Sequence, residues 1–431
     1  MSTPAHSVQP EQSHALPLTL RLARNAVLGK LAKLRGELIV HDAMGRVRLG
    51  QPDPSSTAPP TVTLRVTDPD FYRQVAFNGS VGAGEAYMDG LWTCSDLVAL
   101  IRLLVRNRDL LDAMEGGSAR VGGWLLKAWH GLRRNTHGGA RRNIAVHYDL
   151  GNPLFRLFLD ENLMYSSAVF ASADESLESA AQRKLARICE KLALRSGDHV
   201  IEIGTGWGGF ALHAARHYGC RVTTTTISRE QFELAKARVD SAGLADRVTV
   251  LFQDYRLLSG QFDKLVSIEM VEAIGHQYLD TYFRKCESLL RPDGLAMIQA
   301  ITIEDRRYQQ ALKSVDFIKR HIFPGSFIPC VSALVGSSAR HTDLRLINLE
   351  DIGASYATTL HHWRQRFLAQ RDVVRELGYD QRFMRMWEFY LAYCEGGFIE
   401  RSIGNVQLLF ARPGNRRAQF VPQPSLGMEL Q

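Results

Sequence analysis

The sequence lacks the features that mark metal sites, disulfide frameworks and membrane spans. Its six cysteines are scattered over 431 residues, with no CxxC pair and no neighbouring histidine cluster. This pattern argues against a metal site and against disulfides, and it is typical of a reducing cytoplasm. No apolar run approaches the roughly 18 to 20 residues that a membrane-spanning helix needs. No long apolar segment with a small-residue cleavage site lies near the N-terminus, so we expect no export.

Positive charge is concentrated in one part of the chain. The formal net charge is +7, and residues 116–148 contain six basic residues and no acidic one. Trp124 and Trp129 lie among these cations, and apolar groups interleaved with Lys and Arg suit the headgroup region of a membrane. A basic linker beside a packed helix is the alternative interpretation. No nucleic-acid partner is expected, because no base-reading module is recognisable.

Length and composition indicate two domains of ordinary globular type. The chain is too long for one small core, and its 45% apolar content is that of a folded protein. We expect mobile tails at residues 1–17 and 416–431, an N-terminal domain with its linker at 18–136, and a catalytic domain at 141–413. In the N-terminal part, helices are predicted over residues 20–34 and 97–111, and strands over residues 37–41 and 61–66.

The second region alternates strand and helix patterns. Short apolar runs are separated by segments of helical periodicity, which predicts an α/β domain with a largely parallel sheet covered on both faces. The strands are predicted over residues 199–203, 221–227, 248–252, 264–268 and 295–300. Helices are predicted over residues 177–192, 231–240 and 279–290.

A glycine-rich loop follows the first of these strands directly. The segment Glu202-Ile-Gly-Thr-Gly-Trp-Gly-Gly209 opens a predicted helix at the carboxyl edge of the sheet, where nucleotides usually bind. Such a loop alone is weak evidence, since a glycine-rich loop also binds dinucleotides or forms a tight strand-to-helix turn. A dinucleotide site would want an acidic residue about 20 residues further on, but the second strand ends in Thr226-Ile-Ser-Arg-Glu-Gln231. The loop also starts nearly halfway along the chain, and Glu202 precedes it at the position that methyltransferases use, so we predict S-adenosylmethionine as the cofactor.

Ordered motifs along most of the chain carry a resemblance to a known family. The matching segments are residues 79–92, 146–152, 163–168, 202–209, 226–231, 253–256, 267–275, 322–326 and 356–363. On these motifs the sequence resembles the cyclopropane-fatty-acyl-phospholipid synthases, which include mycolic acid cyclopropane synthases. The resemblance implies a Rossmann-like class I methyltransferase domain with a smaller, mainly helical N-terminal domain, and it implies bound bicarbonate as the base.

The resemblance also assigns site residues one by one. The cofactor site would be formed by Tyr165, Ser166, Glu202, Gly204, Gly206, Gly208, Thr226, Ser228, Gln231, Asp254, Tyr255 and Ile268. Glu272 would accept the bicarbonate hydroxyl proton, Gln299 and the Ile301 backbone would position the anion, and Tyr356 would make a further contact. Cys394 matches a cysteine that is often proposed as catalytic, although a lone buried cysteine is commonly an apolar filler.

Two positions depart from the usual pattern of the family. Ser167 stands where a cysteine is usual, and it can substitute if that residue acts through its backbone. Gln299 stands where a histidine is usual, and it can donate a hydrogen bond but cannot titrate. These departures put the reaction product in doubt more than the substrate class.

The expected reaction moves the methyl carbon of S-adenosylmethionine to the cis double bond of an unsaturated phospholipid acyl chain. Loss of a proton from that carbon closes a cyclopropane ring. A methyl- or methylene-branched fatty acid is the alternative product. A methyltransferase for soluble molecules and an inactive lipid-binding protein are the other candidates. We expect a cytoplasmic enzyme on the inner face of the cell membrane, and a homodimer is left open.

Overall fold

The computed structural model describes residues 16–55, 58–110 and 150–417. The basic stretch at residues 116–148 lies outside the described residues, as do nearly all of the two expected tails. Within the described part, no helix is long and apolar enough to cross a bilayer.

The N-terminal region combines three helices with a small sheet. The helices are α1 (Leu18–Leu31), α2 (Asp70–Met88) and α3 (Leu97–Arg106), and the strands are β1 (Leu38–Asp42), β2 (Gly45–Leu49), β3 (Val62–Val66) and β4 (Trp92–Cys94). The strand order is β2-β1-β3-β4, and only the β1–β3 pair is parallel. Both helices and both strands predicted here are confirmed, with ends that shift by at most five residues.

The second region is built on a seven-stranded sheet. Its strands are β5 (His199–Ile203), β6 (Arg221–Thr226), β7 (Val248–Phe252), β8 (Phe262–Ile268), β9 (Leu290–Ile303), β10 (Arg345–Asp351) and β11 (Ile403–Ala411). The order is β10-β11-β9-β8-β5-β6-β7, with parallel pairing from β9 to β7 and antiparallel pairing on both sides of β11. The predicted, largely parallel sheet of a Rossmann-like class I fold is confirmed.

Helices connect these strands and cover the sheet. They are α4 (Asn152–Arg156), α5 (Leu177–Leu192), α6 (Gly209–Tyr218), α7 (Arg229–Ser241), α8 (Leu279–Ser288), α9 (Asp305–Lys313), α10 (Val331–His341), α11 (Gly353–Ala369), α12 (Arg371–Glu376) and α13 (Gln381–Ile399), with a π-helix at Ile318–Ile322. Side-chain caps begin several of them, as where the Ser228 hydroxyl accepts a hydrogen bond from the backbone N–H of Gln231 at the start of α7.

The N-terminal region packs on the helices between β10 and β11, and the two share one apolar core. Helix α13 lies against α2, α3 and α11. Its approach to α3 is close, because a Cβ added at Gly396 would lie 2.8 Å from the Ile101 side chain. At the end of α13, the Glu400 carboxylate accepts hydrogen bonds of 2.7 Å from both Arg102 and Arg106 of α3. This packing closes one side of the cavity described next.

Candidate active site

One cavity of about 340 Å³ joins the carboxyl edge of the sheet to the helical core. Its inner end is bordered by the glycine loop after β5 and by the residues that follow β6, β7 and β8. Apolar side chains from the π-helix segment, from α11 and α13 and from the start of β11 line the rest, among them Ile318, Phe323, Leu360, Tyr393, Phe398 and Ile403. At its far end it reaches Val105 and Arg108, at the end of α3 and just after it. The cavity therefore connects a nucleotide-type loop with an apolar channel.

The glycine loop brings its backbone close to the cavity. Gly204 and Gly208 have φ angles of +103° and +85°, which side-chain-bearing residues rarely adopt. A Cβ at Gly204 would approach the Met270 side chain to 3.1 Å, and one at Gly209 would lie 2.4 Å from the Met164 sulfur. The loop thus leaves room for a ligand where a larger residue would not fit.

Glu202 lies under this loop as a buried carboxyl group. The Thr224 hydroxyl is 2.6 Å from Glu202 Oε2 and 2.7 Å from the Thr205 hydroxyl. Burial raises the pKa of Glu202 to about 8, and the Thr224 hydrogen bond and the nearby Lys184 offset this only in part. Glu202 also lines the cavity.

The residues after β6 and β7 form the side of the cofactor end. Thr226 and Gln231 line the cavity and are joined by a hydrogen bond of 2.9 Å. Ser228 caps α7 and does not line the cavity. Asp254 lines the cavity, but Arg256 binds its carboxylate at 2.6 and 2.9 Å. The Tyr255 hydroxyl is buried without a hydrogen-bond partner, so a ligand group can pair with it.

Tyr165 and Ser166 border the opposite side, and Ile268 lines the cavity at the end of β8. The Tyr165 hydroxyl is 2.8 Å from that of Tyr390. Ser166 accepts a hydrogen bond of 2.7 Å from Lys184 Nζ, which is fully buried. Burial lowers the pKa of Lys184 to about 8, against the opposing charges of Glu269, Asp160 and Glu202. Apart from Gly208 and Ser228, all the residues expected at the cofactor line this cavity, and they fit a nucleoside sulfonium ligand.

The carboxylate of Glu269 is the centre of the active-site hydrogen bonds. Its oxygens accept from the Ser167 backbone N–H at 3.0 Å, Gln299 Nε2 at 2.8 Å, Asn405 Nδ2 at 2.5 Å and the Tyr356 hydroxyl at 2.8 Å. Glu269 also has a φ of +48°, an uncommon backbone conformation that directs the loop after β8. Four donors solvate this charge inside the protein.

Glu272 lies next to Glu269 in a different environment. Its Oε1 accepts a hydrogen bond of 2.5 Å from the Ile301 backbone N–H, while its Oε2 is buried without a partner. Burial raises the pKa of Glu272 to about 8, and the charge of Glu269 adds to this effect. Both carboxyl groups line the cavity. The site therefore holds one carboxylate rich in donors and one that favours its proton.

This arrangement does not fit bound bicarbonate. The groups expected to hold the anion, on Ser167, Gln299 and Tyr356, all donate to Glu269 instead, and the Ile301 N–H donates to Glu272. A bicarbonate ion bound here would lie next to two carboxyl groups and would receive no hydrogen bond from these donors. Gln299 is fully buried and does not border the cavity, so its expected direct contact with an anion is corrected.

Cys394 lines the cavity, but its thiol is unreactive. Burial raises the pKa of its thiol far above the usual range, so the thiol stays neutral at physiological pH. A neutral thiol among apolar groups is a poor nucleophile. Ser167, the other departure at this site, contributes its backbone N–H to Glu269, and its hydroxyl donates to the Ala168 carbonyl at 2.9 Å.

Sequence reasoning missed several residues that build the site. They are Glu269, Asn405, Gln407, Lys184 and Lys191. A second acid three positions before Glu272 was one available signal. Asn405 and Gln407 alternate in a strand that is otherwise largely apolar, and Lys184 and Lys191 fall on the buried face of α5. Polar residues at apolar positions of a pattern were thus the general signal.

The sheet order, the glycine loop and the cavity define an S-adenosylmethionine-dependent methyltransferase. The family model for mycolic acid cyclopropane synthetase matches residues 136–408, well over half of the chain. The chain belongs to this family.

Individual relatives agree with this assignment. The chain is 36% identical over 411 residues to tuberculostearic acid methyltransferase of Mycobacterium tuberculosis, covering 92% of this chain and 95% of the relative. It is 38% identical over 351 residues to cyclopropane-fatty-acyl-phospholipid synthase of Escherichia coli, covering 81% and 87%. A mycolic acid cyclopropane synthase complexed with SAH and CTAB superposes with a TM-score of 0.59 at 26% identity, over 63% of this chain and 98% of that one. The chain is an S-adenosylmethionine-dependent enzyme of lipid modification.

Proposed function

We propose that this enzyme transfers the methyl carbon of S-adenosylmethionine to the cis double bond of an unsaturated acyl chain in a phospholipid. One observation carries the proposal: Gly204 and the carboxyl groups of Glu269 and Glu272 line the same cavity, and most of its other lining residues are apolar. A methyltransferase for small polar molecules would not need this long apolar lining. The relative named as a phospholipid synthase supports the same substrate class.

The proposed chemistry needs an electrophile, a dry cavity and a proton acceptor. S-adenosylmethionine supplies a sulfonium methyl group, which the double bond attacks as the carbon–sulfur bond breaks, leaving a carbocation on the acyl chain. Apolar residues such as Leu360 and Phe398 exclude water that would otherwise capture this cation. The Glu269 carboxylate accepts the proton that the cation must lose, and Ser167, Gln299, Asn405 and Tyr356 keep it in place.

Glu269 replaces the bicarbonate that the resemblance implied. Its carboxylate already receives the donors that would bind such an anion, so the base is part of the chain. A proton next to a carbocation is strongly acidic, and a weak base is sufficient. The neighbouring Glu272, with a pKa of about 8, is largely protonated at neutral pH and does not repel Glu269.

The product depends on which bond forms when the proton leaves. Loss of a proton from the transferred carbon, with closure of a bond to the cation, gives a cyclopropane. A hydride shift before the same loss gives a methylene branch, which a separate reductant would convert into a methyl branch. We propose the cyclopropane product. The branched product is the second candidate, because the relative that spans 92% of this chain is named a methyltransferase.

The substrate is proposed to enter from a membrane surface. Moving about nine methylenes of an acyl chain into water at ~0.8 kcal/mol each would cost roughly 7 kcal/mol, so the chain should pass directly from the bilayer into the channel. Peripheral association through residues 116–148 belongs to this proposal. Assembly as a homodimer is a separate question that gel filtration answers directly.

The decisive experiment incubates the enzyme with unsaturated phospholipid vesicles and labelled S-adenosylmethionine and identifies the lipid by mass spectrometry. A product one carbon heavier is expected, and mild hydrogenation distinguishes the ring, which survives, from a methylene, which is reduced. Glu269→Gln should lower turnover by orders of magnitude and leave cofactor affinity unchanged in calorimetry. No labelled lipid, with methylation of a soluble O or N nucleophile, would overturn the function, and an absence of cofactor binding would indicate an inactive lipid-binding protein.

The same assay tests the built-in base. Removing bicarbonate from the buffer by degassing is expected to leave the rate unchanged, because Glu269 occupies the anion position. A rate that falls on depletion and returns when bicarbonate is added would show that an exogenous anion takes the proton. Near-native turnover of Glu269→Gln would likewise show that Glu269 is not the proton acceptor.

A further inference from the structure

We propose that Lys191 and Gln407 are positioning residues, which act on Glu269 through Gln299 by a chain of hydrogen bonds across the sheet. We call these three side chains, Lys191, Gln407 and Gln299, the relay. The inference rests on the proposed role of Glu269 as the proton acceptor. It assigns a purpose to polar residues that lie far behind the cavity.

The relay is continuous and fully buried. Lys191 Nζ donates to Gln407 Oε1 at 2.7 Å, and Gln407 Nε2 donates to Gln299 Oε1 at 3.0 Å. Gln299 Nε2 then donates to Glu269 Oε1 at 2.8 Å. None of the three relay side chains has measurable solvent exposure. The chain of contacts thus runs from helix α5 through the middle of the sheet to the active site.

The backbone places the two glutamines side by side. Gln299 on β9 and Gln407 on β11 are direct partners in the antiparallel register, and Gln299 also pairs with Ile268 of β8, the residue before Glu269. Asn405 lies two residues before Gln407, so both side chains point to the same face of β11. Asn405 donates to the same oxygen of Glu269 as Gln299. Two neighbouring strands therefore present amide groups to one carboxylate.

Lys191 determines the direction of every hydrogen bond in the relay. An ammonium group only donates, so Gln407 must turn its carbonyl oxygen toward Lys191 and its NH₂ group toward Gln299. Gln299 must then present its own oxygen to Gln407 and its NH₂ group to Glu269. Without the cation, both amides are free to rotate and to present an oxygen to the carboxylate, which would repel it.

The outer end of the relay is anchored by an ion-pair group. Glu350 on β10 accepts from Lys191 at 2.5 Å and pairs with Arg187, which is partly exposed. Burial lowers the pKa of Lys191, while the Glu350 carboxylate opposes that effect. Arg187 contacts the same Glu350 but makes no contact with Gln407 in the described part of the chain. It therefore offers a matched control.

A purely structural role would not require polar groups here. The neighbours of the two glutamines along their strands are Ile298, Ala300, Val406 and Leu408, all buried. Apolar side chains at positions 299 and 407 would fill the same face without the desolvation cost of two buried amides. Their polarity matters at both ends of the relay, because the buried Lys191 ammonium group needs an acceptor and Glu269 needs a donor. Besides the relay, the charged or titratable groups facing Glu269 are Glu272, Lys184 and Tyr356.

The test compares Lys191→Met and Gln407→Leu with Arg187→Met in the full-length enzyme. Each relay variant weakens a donor to the Glu269 carboxylate, so the acidic limb of the kcat/KM profile should move to higher pH. At neutral pH kcat should fall roughly tenfold. Cofactor affinity should stay unchanged, because no relay residue borders the cavity. Arg187→Met should lower thermal stability without moving the pH profile.

The possible outcomes separate the relay from the role of Glu269. An unmoved acidic limb in both relay variants, with Glu269→Gln inactive, would overturn the relay and leave the proposed base in place. If Glu269→Gln is active and keeps the native pH profile, Glu269 is not the proton acceptor, and the relay that rests on this role is overturned with it. An equal shift in Arg187→Met would show that the effect comes from the ion pair and not from the relay. If Lys191→Met does not fold, Gln407→Leu alone decides the question.

Discussion

Two carboxyl groups three residues apart have opposite environments in this site. Glu269 accepts hydrogen bonds from four donors, whereas Glu272 has one donor and a buried, unpaired oxygen. The environment of each carboxyl group, rather than the residue type, therefore gives Glu269 the proposed role of base and keeps Glu272 as its neutral neighbour. In the proposed mechanism, the same division lets Glu269 take the place of a separate anion. It also predicts that the free energy of unfolding depends on pH through the ionisation of Glu272.

Glu272→Gln should stabilise the protein more at pH 8 than at pH 5. The pKa of Glu272 is raised from 4.5 to about 8, so the unfolded chain releases a proton in this range that the folded protein retains. The contribution of Glu272 to the free energy of unfolding therefore falls as pH rises from about 4.5 to 8. Glutamine cannot ionise, and the variant avoids this loss. Denaturant unfolding at both pH values measures the difference.

Glu175→Gln is the control with the opposite sign. Its pKa is lowered to about 2, mainly by the hydrogen bonds from Arg183, so its stabilising effect is complete above pH 4.5 and is lost only below that value. Its effect on unfolding should be the same at pH 5 and pH 8. If the effect of Glu272→Gln is equally constant, Glu272 does not carry the raised pKa.

At the scale of elements, helix α2 shows how glycines allow close packing beside the site. A Cβ at Gly84 would lie 2.5 Å from the ring of Phe317, which directly precedes the π-helix that carries the cavity residue Ile318. Gly84→Ala should destabilise the protein by about 1–3 kcal/mol through this overlap, although alanine favours helix. Thermal unfolding measures the change.

Gly29→Ala in α1 provides the matched control for this prediction. Gly29 is exposed, and a Cβ there would meet nothing within 4 Å. This substitution should stabilise the protein by up to about 1 kcal/mol, the helix preference of alanine alone. Equal effects of the two substitutions would mean that contact with Phe317 is not what requires glycine in α2.

Elements with a strong local pattern were predictable from the sequence. Strands β5 and β7 were predicted at the residues that the structure shows, because each is a short apolar run bounded by helical periodicity. Strands β10 and β11 were not predicted. Strand β10 alternates between exposed and half-buried residues, and β11 contains Asn405 and Gln407, whose burial depends on partners far away in the sequence.

The site was predictable where it depends on local motifs. The glycine loop and the positions of Tyr165, Thr226 and Gln231 followed from sequence segments, and all of them border one cavity. The importance of Glu269 was not visible, because a backbone turn with φ of +48° decides which acid meets the donors. Contacts from Gln299 and Tyr356 arise only when β9 and α11 assemble around that turn.

At the scale of the whole molecule, the channel connects the cofactor end of the catalytic sheet to the N-terminal region. Its far end, at Val105 and Arg108, adjoins a second depression of about 140 Å³ that also contains Arg108. This depression is polar, with Arg106, Arg306 and Arg307 beside Asp109, Glu304 and Glu400. A phospholipid has the same order of parts, an apolar chain followed by a charged headgroup. Residues of both regions therefore line the path that we propose for the substrate.

Most charges in the depression are already paired. Glu400 binds Arg102 and Arg106, Glu304 binds Arg306 at 2.7 Å, and Asp109 lies 4.0 Å from Arg307. Within the described residues, Arg108 makes no such ion pair, so its guanidinium group is available to the phosphate of the proposed substrate. It also borders the apolar channel directly.

Arg108→Gln should therefore raise the KM for phospholipid vesicles roughly tenfold, since a hydrogen bond to a charged group contributes about 1.5 kcal/mol. The affinity for S-adenosylmethionine should not change, because Arg108 follows α3 and is not one of the residues expected to bind the cofactor. Arg306→Gln is the control, since Arg306 is exposed and paired with Glu304. The vesicle assay at fixed salt gives both values. An equal rise in both variants would indicate general attraction to the vesicle surface, and an unchanged KM in Arg108→Gln would show that this arginine does not bind the headgroup.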